Sequence, residues 1–143
     1  MRLYKLGNFF YRNNIPLLPK LCNLLIRLIH NCAVYSETRI GAKTIFGYGG
    51  IGVVIHKRTV IGTNCTIGTN VTIGGKSGSK NVPVIGNDVF IATGAKILGD
   101  LKVGNNCVIG ANAVVIKDVP DNCVVAGIPA KIIKSGINVS DFK

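Results

Sequence analysis

Residues 84–119 read VIGNDV, FIATGA, KILGDL, KVGNNC, VIGANA and VVIKDV, and residues 60–77 read VIGTNC, TIGTNV and TIGGKS. An aliphatic side chain recurs at Ile61, Ile67, Ile73, Ile85, Ile91, Ile97, Val103, Ile109 and Val115, always at a multiple of six, so the phase survives the interruption at 74–84. Four residues after each aliphatic position stand Cys65, Val71, Val89, Ala95, Leu101, Cys107, Ala113 and Val119, all able to fill a tight interior. Between them come Asn64, Asn70, Asp88, Gly94, Asp100, Asn106, Asn112 and Asp118. Gly, Asn and Asp tolerate positive φ best, so the pattern predicts short strands with a tight corner in every repeat. Strands of this length bury no face alone, but stacked coils pair every N–H and C=O with the coil above and below at ~4.8 Å. The fold class expected is therefore an all-β solenoid of polygonal coils.

Composition agrees with a core built from small repeated side chains. The chain has 143 residues, 48% of them hydrophobic, but only 6% aromatic, with no Trp and 18 Gly, which suits a solenoid better than a sandwich. Its five cysteines, Cys22, Cys32, Cys65, Cys107 and Cys123, are odd in number and lack a C-x-x-C pair, so neither a disulfide framework nor a zinc site is expected. Cys65 and Cys107 share the inward position, which makes them core residues and not nucleophiles. The opening residues lack the apolar region and cleavage site of a signal peptide, and a reduced cytoplasmic setting follows as the expectation. Of the formal charge of +11, much lies early: Arg2, Lys5, Arg12, Lys20, Arg27, Arg39, Lys43, Lys57 and Arg58 face Glu37 alone. Polyanions are plausible partners on that ground, whether cofactor phosphates or an anionic membrane; nucleic acid is not expected, for want of a recognition motif or interleaved aromatics.

Three segments are expected: an amphipathic helical segment at 1–35, the solenoid at 36–134 with its loop at 74–84, and a C-terminal tail at 135–143 whose last residues, Asp141-Phe142-Lys143, are expected to fray. In the first, Leu17, Leu18, Leu21, Leu24, Leu25, Leu28, Ile29 and Cys32 follow helical spacing, with Lys20, Asn23, Arg27, His30 and Asn31 opposite and Pro19 in the first turn. Residues 2–12 predict a shorter helix with Leu3, Leu6, Phe9 and Phe10 on its apolar side. The apolar face is expected to pack on the first coil or on a neighbouring subunit; its alternative is peripheral contact with the inner face of a membrane through residues 1–34. The charges break any run long enough to span a bilayer.

Two histidines are present, His30 and His56. His30 falls among polar helix positions, where solvation is expected. His56 follows the inward Ile55 and so points outward, and an imidazole is well suited to take a proton from an attacking alcohol near neutral pH. The segments GGIGVVIHKRTVIG (49–62), VTIGGKSG (71–78), VPVIGNDVFIATGAKILG (82–99), VIGANAVV (108–115) and VVAGIPAKII (124–133) resemble the serine acetyltransferase branch of the hexapeptide-repeat acyltransferases. The subgroup associated with capsule and lipopolysaccharide biosynthesis is the nearest resemblance, and IPLLPKLCNLLIRLI (15–29) extends it over nearly the whole chain.

The resemblance implies a left-handed parallel β-helix, a homotrimer, and acetyl-CoA bound between adjacent helices, with no metal. It implies direct acetyl transfer from thioester to hydroxyl, with His56 as general base and Glu37 as the carboxylate that orients it. The pantetheine arm would pass Ala92, Gly94, Ala111 and Ala113, and Lys117 and Lys131 would meet the CoA phosphates. Gly75, Lys76, Ser77 and Lys80 would form the acceptor loop. Two departures from the cysteine-pathway enzymes bear on the acceptor: their Asp-His-Ala-Thr-Gly motif aligns near Gly49, and Asn81-Val82-Pro83 replaces an Arg-His before the loop proline. With the long N-terminal helical domain also missing, the expected acceptor is a sugar hydroxyl of a surface polysaccharide, with serine as the alternative. An amine acceptor stays open, and a non-catalytic β-helical scaffold is the rival of another class.

Overall fold

The computed structural model describes residues 1–142; Lys143, the last residue of the expected tail, lies outside the described residues. Two helices, α1 (Arg2–Arg12) and α2 (Leu18–His30), precede a coil stack. The first coil holds β1 (Ala33–Val34), β2 (Arg39–Ile40) and β3 (Ile45–Phe46), the second β4 (Val54–Ile55), β5 (Val60–Ile61) and β6 (Thr66–Ile67). The third holds β7 (Thr72–Gly74), β8 (Val84–Ile85) and β9 (Phe90–Ile91), the fourth β10 (Lys96–Leu98), β11 (Lys102–Val103) and β12 (Val108–Ile109). A last, partial coil has β13 (Val114–Val115) and β14 (Cys123–Ala126), and β15 (Lys131–Ser135) turns back antiparallel onto β14. The strands stack in parallel into three sheets: a first of β1, β4, β7, β10 and β13, a second of β2, β5, β8 and β11, and a third of β3, β6, β9, β12 and β14, with β15 at its edge. The architecture is that of a left-handed β-helix, with the solenoid beginning at Ala33, slightly earlier than its repeat suggests.

The register explains the interior. Ile55 pairs with Ile73, Ile73 with Ile97 and Ile97 with Val115, while Ile61, Ile85 and Val103, and Ile67, Ile91 and Ile109, form the other two columns. All are buried, as are Cys65, Val71, Val89, Ala95, Cys107 and Ala113, so the predicted inward positions form one continuous core. The five thiols are buried and free. Burial raises the Cys107 and Cys32 thiols above the ordinary thiol range, which keeps both protonated and unreactive.

The corners divide into kinds that the repeat did not distinguish. From the second to the third sheet, Lys43, Asn64, Asp88, Asn106 and Asn122 take positive φ; from the third to the first, Gly52, Asn70, Gly94 and Asn112 do so, and Asn31, the C-cap of α2, does so ahead of β1. At the corner from the first to the second sheet, Asp100 and Asp118 do not adopt positive φ, contrary to expectation. In the first two coils the turn is closed by Thr38 N–H to the Tyr35 carbonyl and Thr59 N–H to the His56 carbonyl, without a left-handed residue, whereas in the fourth coil Gly99, not Asp100, takes the positive φ (115°). Asp118 instead accepts the Lys102 N–H (2.8 Å), and Asp100 accepts from Asn81 Nδ2 (2.7 Å). The inward positions of this corner carry Thr38 and Thr59, buried with hydroxyls that have no partner. That arrangement is locally unfavourable, because a buried hydroxyl without a hydrogen bond keeps its desolvation cost.

Coil spacing depends on a column of glycines. A Cβ on Gly62 would stand 2.6 Å from the Gly86 carbonyl carbon, and one on Gly86 would stand 2.8 Å from that of Gly104. Beside this column a ladder of side chains ties the coils: Asn87 Oδ1 accepts the Thr63 N–H (2.9 Å), Asn105 Oδ1 that of Asn87 (2.8 Å) and Asp121 Oδ1 that of Asn105 (2.7 Å).

The helices form where expected but turn the other way. Pro19, Cys22 and Ile26 of α2 and Tyr4 and Gly7 of α1 are buried, whereas Leu17, Leu21, Leu24 and Leu28 are exposed. Polar anchoring explains the orientation. Asn23, expected on the solvent side, accepts both the Ser36 N–H (2.8 Å) and the Ser36 hydroxyl (2.7 Å). Tyr4 donates to the Thr38 carbonyl (2.6 Å), and Asn8 donates to that of Ser36 (2.8 Å). Gly7 permits the approach, since a Cβ there would meet Cys22 Cβ at 2.9 Å. Much of the tail packs on the solenoid: Ile137 and Val139 are buried against Val108 and Val124, and Asn106 Oδ1 accepts the Val139 N–H (2.7 Å).

Candidate active site

His56 stands just beyond β4, at the corner between the first and second sheets. Its backbone N–H donates to the Ile73 carbonyl (2.9 Å), which fixes it on the coil above the root of the 74–83 loop. That loop leaves from β7 and returns at β8, so it occupies the same corner one coil on. Glu37 and Lys117 lie at this corner too, in the first and last coils. The structure therefore brings His56, Glu37, the loop residues Gly75, Lys76, Ser77 and Lys80, and Lys117 onto one edge of the solenoid. The four loop residues and Lys117 are exposed, and the loop is braced by Ser79 N–H to the Lys76 carbonyl (3.1 Å) and by the Asn81–Asp100 bond.

The His56 imidazole is half-buried, and its Nδ1 accepts the backbone N–H of Arg58 at 3.2 Å. Burial, then the positive charges of Arg58 and Lys57, pull its pKa below the ordinary histidine value, so the ring is neutral at neutral pH. With Nδ1 accepting, the proton of the neutral ring resides on Nε2, which is then a donor. For Nε2 to take a proton from an alcohol, the ring must give up the Arg58 contact and carry its own proton on Nδ1. That contact is at the long end of the hydrogen-bond range, so little opposes the exchange.

Glu37 is not placed against the imidazole. Val34 pairs with Ile55, so Tyr35 lies over His56 and Glu37 lies over Arg58. Glu37 accepts from Asn23 Nδ2 (3.3 Å), and among the described residues no hydrogen bond joins it to His56. Sequence reasoning missed the cations around this carboxylate, Arg39, Lys57 and Arg58, which share a cleft with it. The early charge bias was the available signal, but it carried no position.

The residues expected along the cofactor fall on a different edge. Ala92, Gly94 and Ala111 mark the corner between the third and first sheets; Ala92 is half-buried and Ala111 exposed. Lys131 joins them, because it pairs with Ala126 in the hairpin whose Gly127 carbonyl accepts the Val114 N–H (3.0 Å). Ala113 faces the core and is fully buried, so it lines no groove, a correction to the expected set. Lys117 stays with the His56 edge. His30 is half-buried, with its Nδ1 3.3 Å from where a Gly49 Cβ would stand. Among the described residues no three His, Cys, Asp or Glu side chains gather as metal ligands.

The family description "Bacterial transferase hexapeptide (six repeats)" matches residues 83–117. Serine acetyltransferase of Synechococcus elongatus is 37% identical over 139 residues, covering 95% of this chain and 57% of that protein. Serine acetyltransferase of Staphylococcus epidermidis is 40% identical over 126 residues, covering 87% and 59%. Among solved structures, a serine acetyltransferase in complex with CoA superposes with a TM-score of 0.83 at 30% identity, covering 92% of this chain and 54% of that one. Neisseria gonorrhoeae serine acetyltransferase in complex with serine gives 0.85 at 28%, with the same coverage of 92% and 54%. The chain thus spans somewhat more than half the length of the relatives it matches. In repeat, coil register and these likenesses together, the chain is a hexapeptide-repeat β-helix that is similar over nearly all of its length to part of the serine acetyltransferases.

Proposed function

We propose that this protein transfers the acetyl group of acetyl-CoA to a hydroxyl, with serine as the acceptor. The observation that carries the reading is the neutral, half-exposed His56 on an open solenoid edge beside the loop, in a chain whose relatives are serine acetyltransferases. In the reaction His56 removes the hydroxyl proton as the oxygen attacks the thioester carbonyl, and CoA leaves as the thiol. Backbone N–H groups of the Gly-rich loop are suited to meet the developing oxyanion. The names of the matched relatives support serine over the expected glycan acceptor, and Asn81-Val82-Pro83 is the feature that favours a different acceptor.

A homotrimer is the working form in this reading. His56 and the Ala92, Ala111 and Lys131 edge lie at different corners of one solenoid, and a neighbouring copy would bring one to the other. The test is thiol release from acetyl-CoA by the purified full chain, with serine, sugars, nucleotide sugars and oligosaccharides offered in parallel. Release with serine alone is expected; release with a glycan and not serine would restore the polysaccharide reading, and release with neither would remove acetyl transfer.

No helix of the described residues is long and apolar enough to cross a membrane. The outward stripe of α2, with Leu17 74% and Leu28 71% exposed, supports peripheral contact with an anionic membrane, because Lys20 and Arg27 flank it and no acid precedes Glu37. The full chain should then float with vesicles containing phosphatidylserine, and Leu24→Asp with Leu28→Asp should remain at the bottom of the gradient. Failure of the unaltered chain to float would remove this contact and, with it, the placement at the inner face of the membrane.

A further inference from the structure

Two adjoining clefts of about 470 and 500 Å³ lie where the end of α1 meets the second sheet and the His56 corner. Both include Tyr11, Glu37 and Arg39; Lys57 and Arg58 close one side, and Arg12 the other. The topology makes this concavity. Arg39 projects from β2 beside Val60 of the next coil, to which it is paired, while Glu37 and Arg58 lie one above the other at the corner. Four of the nine cationic residues of the first sixty positions converge here around a single carboxylate.

These cations are exposed and have no protein partner among the described residues. Glu37 is engaged by Asn23, and none of the side chains of Arg12, Arg39, Lys57 and Arg58 makes a hydrogen bond or an ion pair among the described residues. Like charges held together repel, and the fold accepts that cost in a cleft roomy enough for a small ligand. Glu37 balances one of the four cations, Arg12, Arg39, Lys57 and Arg58, and leaves an excess of three positive charges. A phosphate or diphosphate matches both the net charge and the fork geometry of paired guanidinium groups, and Tyr11 offers a ring beside them.

We propose that this cleft binds a phosphate or diphosphate group. The site is separate from the Ala92, Ala111 and Lys131 edge and does not depend on the acetyl-transfer reading. Two sources share the chemistry: the phosphates of CoA, and a phosphorylated acceptor or other phosphate ester that approaches His56 across Lys57 and Arg58.

The experiment is calorimetric titration of the full chain with inorganic pyrophosphate at moderate ionic strength. Saturable binding that weakens as salt rises is expected. Arg39→Ser and Arg58→Ser should each lower the affinity roughly tenfold or more, as the loss of a charge-assisted hydrogen bond predicts. Lys134→Ser, an exposed cation on β15 away from the cleft, should leave it unchanged. Both arginines are exposed and unbonded through their side chains, so the variants should melt as the parent does. Competition by CoA but not by pantetheine would assign the site to the cosubstrate's phosphates. Pyrophosphate binding that persists with CoA saturating would assign it to a different phosphate ester. No saturable binding, or equal binding by the arginine variants, would overturn the proposal.

Discussion

His56→Ala should lower kcat/KM for acetyl transfer by on the order of 10²–10⁴ while leaving assembly mass and melting temperature unchanged. The two halves of this expectation rest on different observations. The side chain's one hydrogen bond is the long acceptance from Arg58, and the neighbouring inward residue is Ile55, so deleting the imidazole opens no cavity. The catalytic half rests on the neutral ring. Because burial and the Arg58 and Lys57 charges depress its pKa, the active form persists as pH falls and is lost only as pH drops through a value below the usual ~6.5. Arg58→Ser removes one of those charges and should move the acid limb of the kcat/KM profile toward higher pH. Turnover by His56→Ala at the parental rate would take His56 out of the chemistry.

Gly62→Ala should cost at least ~3 kcal/mol, or prevent folding altogether, as measured by urea denaturation. Gly62 does not have positive φ, so alanine would suit its backbone and the penalty is purely one of space. The added Cβ would press on the backbone of Gly86, which itself stacks on Gly104, and relief would need the coils to separate along the axis. Separation would stretch the strand pairing on all three sheets and the Thr63–Asn87 contact beside it. Gly78→Ala is the control: its φ is 82°, and nothing lies within 4 Å of a Cβ there. That variant should lose only about 1 kcal/mol, the backbone penalty alone. If both variants unfold at the same urea concentration, close coil stacking is not what selects glycine at position 62.

The solenoid was legible because an interior column admits only small aliphatic side chains, and Ile61, Ile85 and Val103 must repeat in step. The corners were half legible. Asn and Asp mark left-handed turns at two corners, but at the third Asp100 and Asp118 serve as hydrogen-bond acceptors, which looks the same in sequence. Helix orientation was not legible. Both sides of α2 are apolar, Leu17, Leu21, Leu24 and Leu28 on one and Pro19, Cys22 and Ile26 on the other, and contacts from Asn23 to Ser36 decide between them. At the site, His56 stood out as the solenoid's lone imidazole. Ala113 was misread against its own periodicity, which already placed it in the interior series. Glu37 stands two positions from the place over His56, because strand pairing sets Tyr35 over His56 and Glu37 over Arg58.

The regular pairing of coils also governs how the chain reaches this state. Ile55 meets Ile73 eighteen residues later and Ile61 meets Ile85 twenty-four residues later, and the longest bonds beyond the sheets, such as Ile40 N–H to Tyr4 Oη, span thirty-six. Each new coil therefore closes a loop of nearly constant, modest length against a surface that already exists, and the entropy of closure does not grow as the stack lengthens. Each coil thus needs only about one further coil of chain before it has its full set of partners, so the stack can extend by nearest-neighbour steps from wherever the first coils form.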